Sequence, residues 1–128
     1  MTFDAIEARE TEQFFANLTL TKSTRSGGPE PFQLLPHSKR IILNTLCWKR
    51  EDGRRQVRRV FASMGRKQAK TQTIAGLAVH ELFRSKEMQP EIYMAAKDRD
   101  QASICFDAAK ALIEGNEFLA SLCQITPY

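Results

Sequence analysis

The reading of the fold turns on residues 58–83, RRVFASMGRKQAKTQTIAGLAVHELF. Val57, Val60, Phe61 and Ala62 read as a short apolar strand, the polar residues after them as a tight turn, and the series from Lys70 onward as an apolar helix. A strand entering a helix through a turn that ends in Lys-Thr is the setting of a phosphate-binding loop. Backbone N–H groups and the positive end of the helix dipole both face an anion there. On this reading Lys70 reaches the terminal phosphates of a nucleotide and the Thr71 hydroxyl takes Mg2+. The spelling departs from G-x-x-x-x-G-K-[ST], since Met64 and Ala69 stand at the two glycine positions. Glycine there lets the backbone take positive φ with no Cβ between chain and phosphate. Gly65 supplies part of that freedom one residue late, whereas Ala69 puts a methyl group where the chain is normally bare. The alternative, from this window alone, is an ordinary strand-to-helix turn with solvated lysines.

Working outward, the 128 residues, 42% of them hydrophobic, suffice for one domain that buries roughly two thirds of its unfolded surface. No run approaches the ~20 apolar residues that cross a bilayer, and the N-terminal TFDAIEARETEQFF is acidic where a secretory signal is basic, so a soluble, cytoplasmic protein is expected. Cys47, Cys105 and Cys123 show no C-x-x-C spacing and have no histidine placed to complete a zinc set, which predicts reduced, mostly buried thiols. His37 and His80 fall at the start of one helix and inside another, and neither forms a nucleophile–base pair. The net charge of +4 is unevenly spread. Lys49, Arg50, Arg54, Arg55, Arg58, Arg59, Arg66, Lys67 and Lys70 crowd together, opposed locally only by Glu51 and Asp52. Such a patch attracts the phosphates of a nucleotide or of a nucleic acid; the alternative is a solvated hairpin flank.

Along the chain, Phe3, Ile6, Phe14, Phe15 and Leu18 predict an amphipathic helix over 3–18 with its acids toward the front. Residues 19–31, TLTKSTRSGGPEP, predict a loop. A helix is expected over 37–48, with Pro36 suited to its first turn, and an exposed reversal at the Asp52-Gly53 pair. Gly76, inside the helix that follows Lys70, costs about 1 kcal/mol of propensity and marks a close approach to a neighbour. Residues 91–96, EIYMAA, read as a second core strand, after which Asp98 or Asp100 caps a helix that stops near Gly115. Residues 116–128, NEFLASLCQITPY, offer one further short helical turn and the start of a third strand.

Three blocks together resemble a family. PFQLLPHSKRIILNTLCW (31–48), EDGRRQVRRVFASMGRKQAKT (51–71) and EIYMAAKDRDQASICFDAAKALIEGNEFL (91–119) are similar, in order and spacing, to the first part of the ATPase domain of the large terminase subunit of tailed bacteriophages. That family has a deviant phosphate loop, Pro-Arg-Lys-x-Gly-Lys-Ser, matched here by Gly65, Arg66, Lys67, Gln68, Ala69, Lys70 and Thr71. The resemblance implies an α/β fold: an incomplete P-loop NTPase-type sheet with flanking helices over 32–128, preceded by an N-terminal helix and loop over 1–31. It implies ATP and Mg2+ as cofactors, with Lys70 and the amides of Gly65 to Thr71 on the phosphates, Thr71 on the metal and Arg66 as a cis-acting catalytic arginine. Lys67 is a weaker candidate. Ser38 falls where the family places an adenine-reading glutamine, and a hydroxyl cannot present the donor and acceptor together that an amide offers. The resemblance implies that Gln101 faces the nucleotide-side edge of the sheet or the DNA; the alternative, favoured by the residues alone, is a helix-start glutamine satisfied by water or backbone.

The implied partners are double-stranded DNA, the small terminase subunit and the portal, with self-association possible. Mg2+ in a P-loop ATPase is fixed by an acid at the end of a later strand, and no apolar strand here ends in Asp-Glu, so nucleotide binding with little turnover is expected of a truncated form. The strand before the loop and the strand near Ile92 are separated in the family's sheet by strands later in the sequence; without them both would show unpaired edges and uncovered apolar faces. Two readings from other classes stay open: a small basic nucleic-acid-binding module using the stretch from Lys49 to Lys70, and a catalytically silent interaction protein.

Overall fold

Five helices carry the architecture of the computed structural model, which describes residues 1–21, 27–65 and 69–126. The first, α1 (Ala5–Ala16), starts at Asp4, whose carboxylate accepts the N–H of Glu7. Pro36 occupies the first turn of α2 (Pro36–Leu46), where its missing N–H costs nothing. The longest apolar elements are α3 (Lys70–Arg84) and α4 (Arg99–Glu114), and α4 is capped by Asp98 and ends at Gly115. The short α5 (Glu117–Ser121) is capped by Asn116.

Two small antiparallel pairs close the N-terminal third. β1 (Thr2–Phe3) pairs with β4 (Trp48–Lys49), and β2 (Thr19–Leu20) pairs with β3 (Glu30–Pro31). The first pair is fixed by the T-shaped contact of Phe3 with Trp48 at 5.3 Å. The second lies within the stretch expected to be a loop. The Asp52-Gly53 reversal is present: Gly53 has φ +81°, and Lys49 bridges to Arg55 across it. Cys47 is buried and its thiol is pushed up to about 11 by burial and by the charge of Glu7, while Cys105 and Cys123 are half-buried and also free.

The core is one cluster in which α1, α2, α3 and α4 meet. Phe15, Leu18, Ile42, Leu46 and Val79 are almost fully enclosed, each contributing roughly 1.5–3 kcal/mol by burial. The contact of α1 with α3 is set by Gly76. A Cβ there would stand 2.7 Å from the Phe15 ring and 3.2 Å from that of Phe32, so the glycine expected to mark a close approach does so. Three polar residues share the buried side of α3 with it: Thr73, His80 and, across the interface, Ser38 of α2. The apolar side chains expected to dominate that helix divide differently, for Val79 is buried while Ile74 and Leu82 are substantially exposed.

The expected P-loop-type sheet is not formed among the described residues. Residues 57–65 and 91–96 have no regular secondary structure, and the pairs named above are the strands present there. The side chains of these two segments are correspondingly uncovered, Phe61 at 95% and Tyr93 at 84% exposure, with Val60 and Ile92 also open to solvent. The physical reason is that a strand needs a partner on its edge to satisfy its N–H and C=O groups. Neither segment has one among the described residues, and several of their apolar side chains are open to solvent.

Candidate functional site

The first turn of α3 has the unusual backbone. Ala69, its N-cap, sits in the left-handed region at φ 57°, ψ 30°, and it is the non-glycine residue with positive φ among those described. For a residue with a Cβ that conformation costs about 1–2 kcal/mol. It is the conformation a glycine would take freely, and Ala69 stands at a glycine position of the phosphate-loop pattern. No side chain caps this helix end, and the first intrahelical bond runs from the Thr73 N–H to the Ala69 carbonyl at 2.9 Å. The amides of Lys70, Thr71 and Gln72 are therefore left without an intrahelical acceptor. Lys70 is exposed and Thr71 half-buried.

The other residues expected at the site are distributed as follows. Gly65 does not take positive φ, and nothing stands within 4 Å of where its Cβ would be, so the freedom expected of it is found at Ala69 instead. Arg66, Lys67 and Gln68 lie outside the described residues. Ser38, at the position expected to read a base, is 1% exposed and faces inward. Its Oγ lies 2.8 Å from Thr73 Oγ1, and Thr73 Oγ1 in turn donates to the Ala69 carbonyl at 2.7 Å. Because the threonine proton is committed to Ala69, Ser38 is the donor of the first bond. This relay ties the first turn of α2 to the first turn of α3 and to the carbonyl of the strained residue. Ser38 is a strut beneath the site and is closed to a ligand. Gln101 is exposed in the first turn of α4, its backbone N–H bonded to Asp98.

Leu35, the N-cap of α2, also offers no side-chain cap, so two helix N-termini with uncapped amides begin side by side, joined by the Ser38–Thr73 bond. Their positive dipole ends together favour an anion in front of them. Mg2+ takes near-octahedral oxygen coordination and keeps several waters, so Thr71 would give it one oxygen while phosphate and water gave the rest. No group of three or more acidic, histidine or cysteine side chains able to hold a metal occurs among the described residues.

Behind the site, α3 is anchored by charge. Arg55 clasps Glu81 with two hydrogen bonds of 2.7 and 3.0 Å, and His80 Nδ1 lies 3.1 Å from the same carboxylate. Burial works to raise the Glu81 carboxyl, but the bonds from His80 and Arg55 outweigh it and bring it down to about 2. The His80 ring stacks on Phe15 at 5.8 Å and meets Phe14 edge-on at 5.1 Å, so it packs into the core.

Three acids of α1 each reach a different element: Glu7 pairs with Lys49, Glu10 with Arg84 and Glu12 with Lys39. Neither this pattern nor the Ser38–Thr73 bond was visible in periodicity, because polar residues at buried positions carry no hydrophobic signal. An apolar groove of about 650 Å³ lies between α3 and α4, bounded by Val79, Leu82, Ile92, Met94, Phe106 and Ile113. It is separate from Lys70 and Thr71, which do not line it.

No helix among the described residues is long and apolar enough to cross a membrane. No curated protein and no solved structure matches the chain. The family described as the terminase large subunit, ATPase domain, matches residues 36–124, well over half of the chain. That span begins with α2, takes in the loop and all of α3, and continues past α5. The chain thus belongs to the family of terminase large subunit ATPase domains.

Proposed function

We propose that this chain serves a viral DNA-packaging motor and binds ATP through its deviant phosphate loop. The observation that supports this most is Ala69 in the left-handed conformation at an uncapped helix start: the backbone keeps a glycine-type bend at the glycine position although the side chain has changed. Lys70 would hold the terminal phosphates, Thr71 the magnesium ion, and the amides that open α3 the intervening oxygens, with Arg66, Lys67, Gln68 and Gly65 completing the cradle. Arg66 would stabilise charge as the terminal phosphate leaves. Because Ser38 is turned inward, adenine would be read weakly, and ATP and GTP should bind alike.

Calorimetry with ATP and Mg2+ tests the reading. Wild type should bind and Lys70→Ala should bind at least about tenfold more weakly, the loss of one charge-assisted contact. Equal affinity of the two proteins, or no binding by either, would overturn it.

A second reading, action as an interaction protein docked on a larger motor assembly, is favoured by the exposed Phe61 and Tyr93 and the open groove between α3 and α4. It expects concentration-dependent association in sedimentation velocity; a strictly monomeric, sharply melting chain would count against it.

A further inference from the structure

The carbonyl of Ala69 receives two hydrogen bonds from one residue. The Thr73 N–H donates to it at 2.9 Å and the Thr73 hydroxyl at 2.7 Å. A threonine hydroxyl bonded to the carbonyl four residues back is common inside helices and by itself means little. Thr45 makes the same bond to Ile41 at 2.7 Å within α2. Two features set Thr73 apart. Its acceptor belongs to the left-handed residue at φ 57°, and its own oxygen is met at 2.8 Å by the Ser38 hydroxyl from another helix. Both residues are buried, Ser38 at 1% and Thr73 at 5% exposure, so these bonds are shielded from bulk water and strengthened by their surroundings.

Fixing that carbonyl fixes more than one atom. The Ala69 C=O and the Lys70 N–H belong to a single planar trans peptide unit, so they point in opposite directions and turn together. With the oxygen drawn toward Thr73, the Lys70 N–H is aimed out of the helix start, where no side-chain cap receives it. An alanine left to itself favours negative φ. Relaxation of Ala69 to negative φ would turn this peptide unit and re-aim the Lys70 amide; the two buried hydroxyls oppose it.

We propose that Thr73, oriented by Ser38, is the positioning residue that holds the Ala69–Lys70 peptide and thereby aims the Lys70 amide at a phosphate. Thr73 acts through the peptide and touches no ligand itself. The ligand is taken from the nucleotide reading above, whereas the aim of the amide is a property of the chain alone. Ser38 thus serves the phosphate end of the site through Thr73.

Two measurements on the full chain separate ligand from positioning: calorimetry with ATP and Mg2+, and amide hydrogen exchange by NMR without nucleotide. Thr73→Val keeps the branched shape and removes the hydroxyl. It should weaken ATP binding about fivefold, the weight of one net hydrogen bond, and lower the protection of the residue-73 amide. Thr73→Ser should restore most of both. Ser38→Ala, which leaves the Thr73–Ala69 bond in place, should act in the same direction by about two- to threefold. Thr45→Val removes an equivalent bond at an unstrained residue and should leave both readings unchanged. In an Ala69→Gly chain, where the bend carries no strain, Thr73→Val should cost less than about twofold. Equal losses from Thr45→Val and Thr73→Val would overturn the proposal. So would a Thr73→Val loss undiminished in the Ala69→Gly chain, or failure of Thr73→Ser to restore the readings. Failure of wild type to bind ATP would sink the nucleotide reading alone, and the exchange series would then decide by itself whether Thr73 holds the peptide.

Discussion

Two positions seven residues apart on the same helix have exchanged the roles usually given to alanine and glycine. At residue 76, in the middle of α3, the helix carries a glycine where alanine would favour the helical backbone, because the Phe15 and Phe32 rings occupy the space of a Cβ. At residue 69, at its start, the chain carries an alanine in a bend that glycine would adopt without cost. The middle of the helix has yielded propensity to packing. The start has accepted backbone strain and keeps its bend through the Ser38–Thr73–Ala69 relay beneath it. A left-handed bend can therefore be held at an alanine when neighbouring side chains fix its carbonyl.

The sharpest way to break this comparison is at the packed end. Gly76→Ala should destabilise the chain by up to about 2 kcal/mol net, overpacking of roughly 1–3 set against a propensity gain of about 1. Because Phe15 is 2% exposed and enclosed by His80 and Phe32, its ring cannot step aside cheaply. Combining Gly76→Ala with Phe15→Leu should cost less than the sum of the two changes in urea unfolding, since the clash disappears with the ring. Simple additivity would show that the close approach is not what residue 76 is for.

A smaller effect, of about 1 kcal/mol once the partial solvent exposure of the pair is allowed for, is expected of Glu81→Gln, which loosens the anchor of α3 on Arg55. Its sign with pH follows from a carboxyl held at about 2 rather than its ordinary 4.5. Such a group stabilises the fold above about pH 4.5 and stops doing so as pH falls towards 2. The gap in stability between wild type and Glu81→Gln should therefore close over that interval in acid unfolding; a gap that held constant there would remove the carboxylate from the account.

The smallest and most telling change is Ala69→Gly. It should stabilise by up to about 1 kcal/mol, relief of left-handed strain partly offset by greater freedom in the unfolded chain. It should also tighten ATP binding in calorimetry, because a Cβ leaves the path to the phosphates. Destabilisation by this change would mean that the bend is not populated in solution, and the nucleotide reading would lose its main support.

Much of this molecule was legible before its tertiary structure. The helix starts at Pro36, Lys70 and Asp98, the stop at Gly115 and the turn at Gly53 followed from capping and turn chemistry, which act within a few residues, whereas the first helix is shorter at both ends than the expected 3–18. The close approach at Gly76 was signalled because a glycine inside a helix has a cost that needs a reason. The expected strands at 57–62 and 91–96 were wrong as paired strands, since apolar alternation specifies a tendency while a strand exists only against a partner.

By itself the sequence determined where helices begin and end, which family the residues fit and that Lys70 and Thr71 open a helix, because these depend on neighbours along the chain. Only the tertiary structure decided that Ala69 carries the bend expected of Gly65, that Ser38 faces inward as a strut, and which cations of the basic run are drawn into ion pairs. Those outcomes depend on groups far apart in sequence, such as Glu7 with Lys49 and Ser38 with Thr73, whose meeting no local pattern encodes.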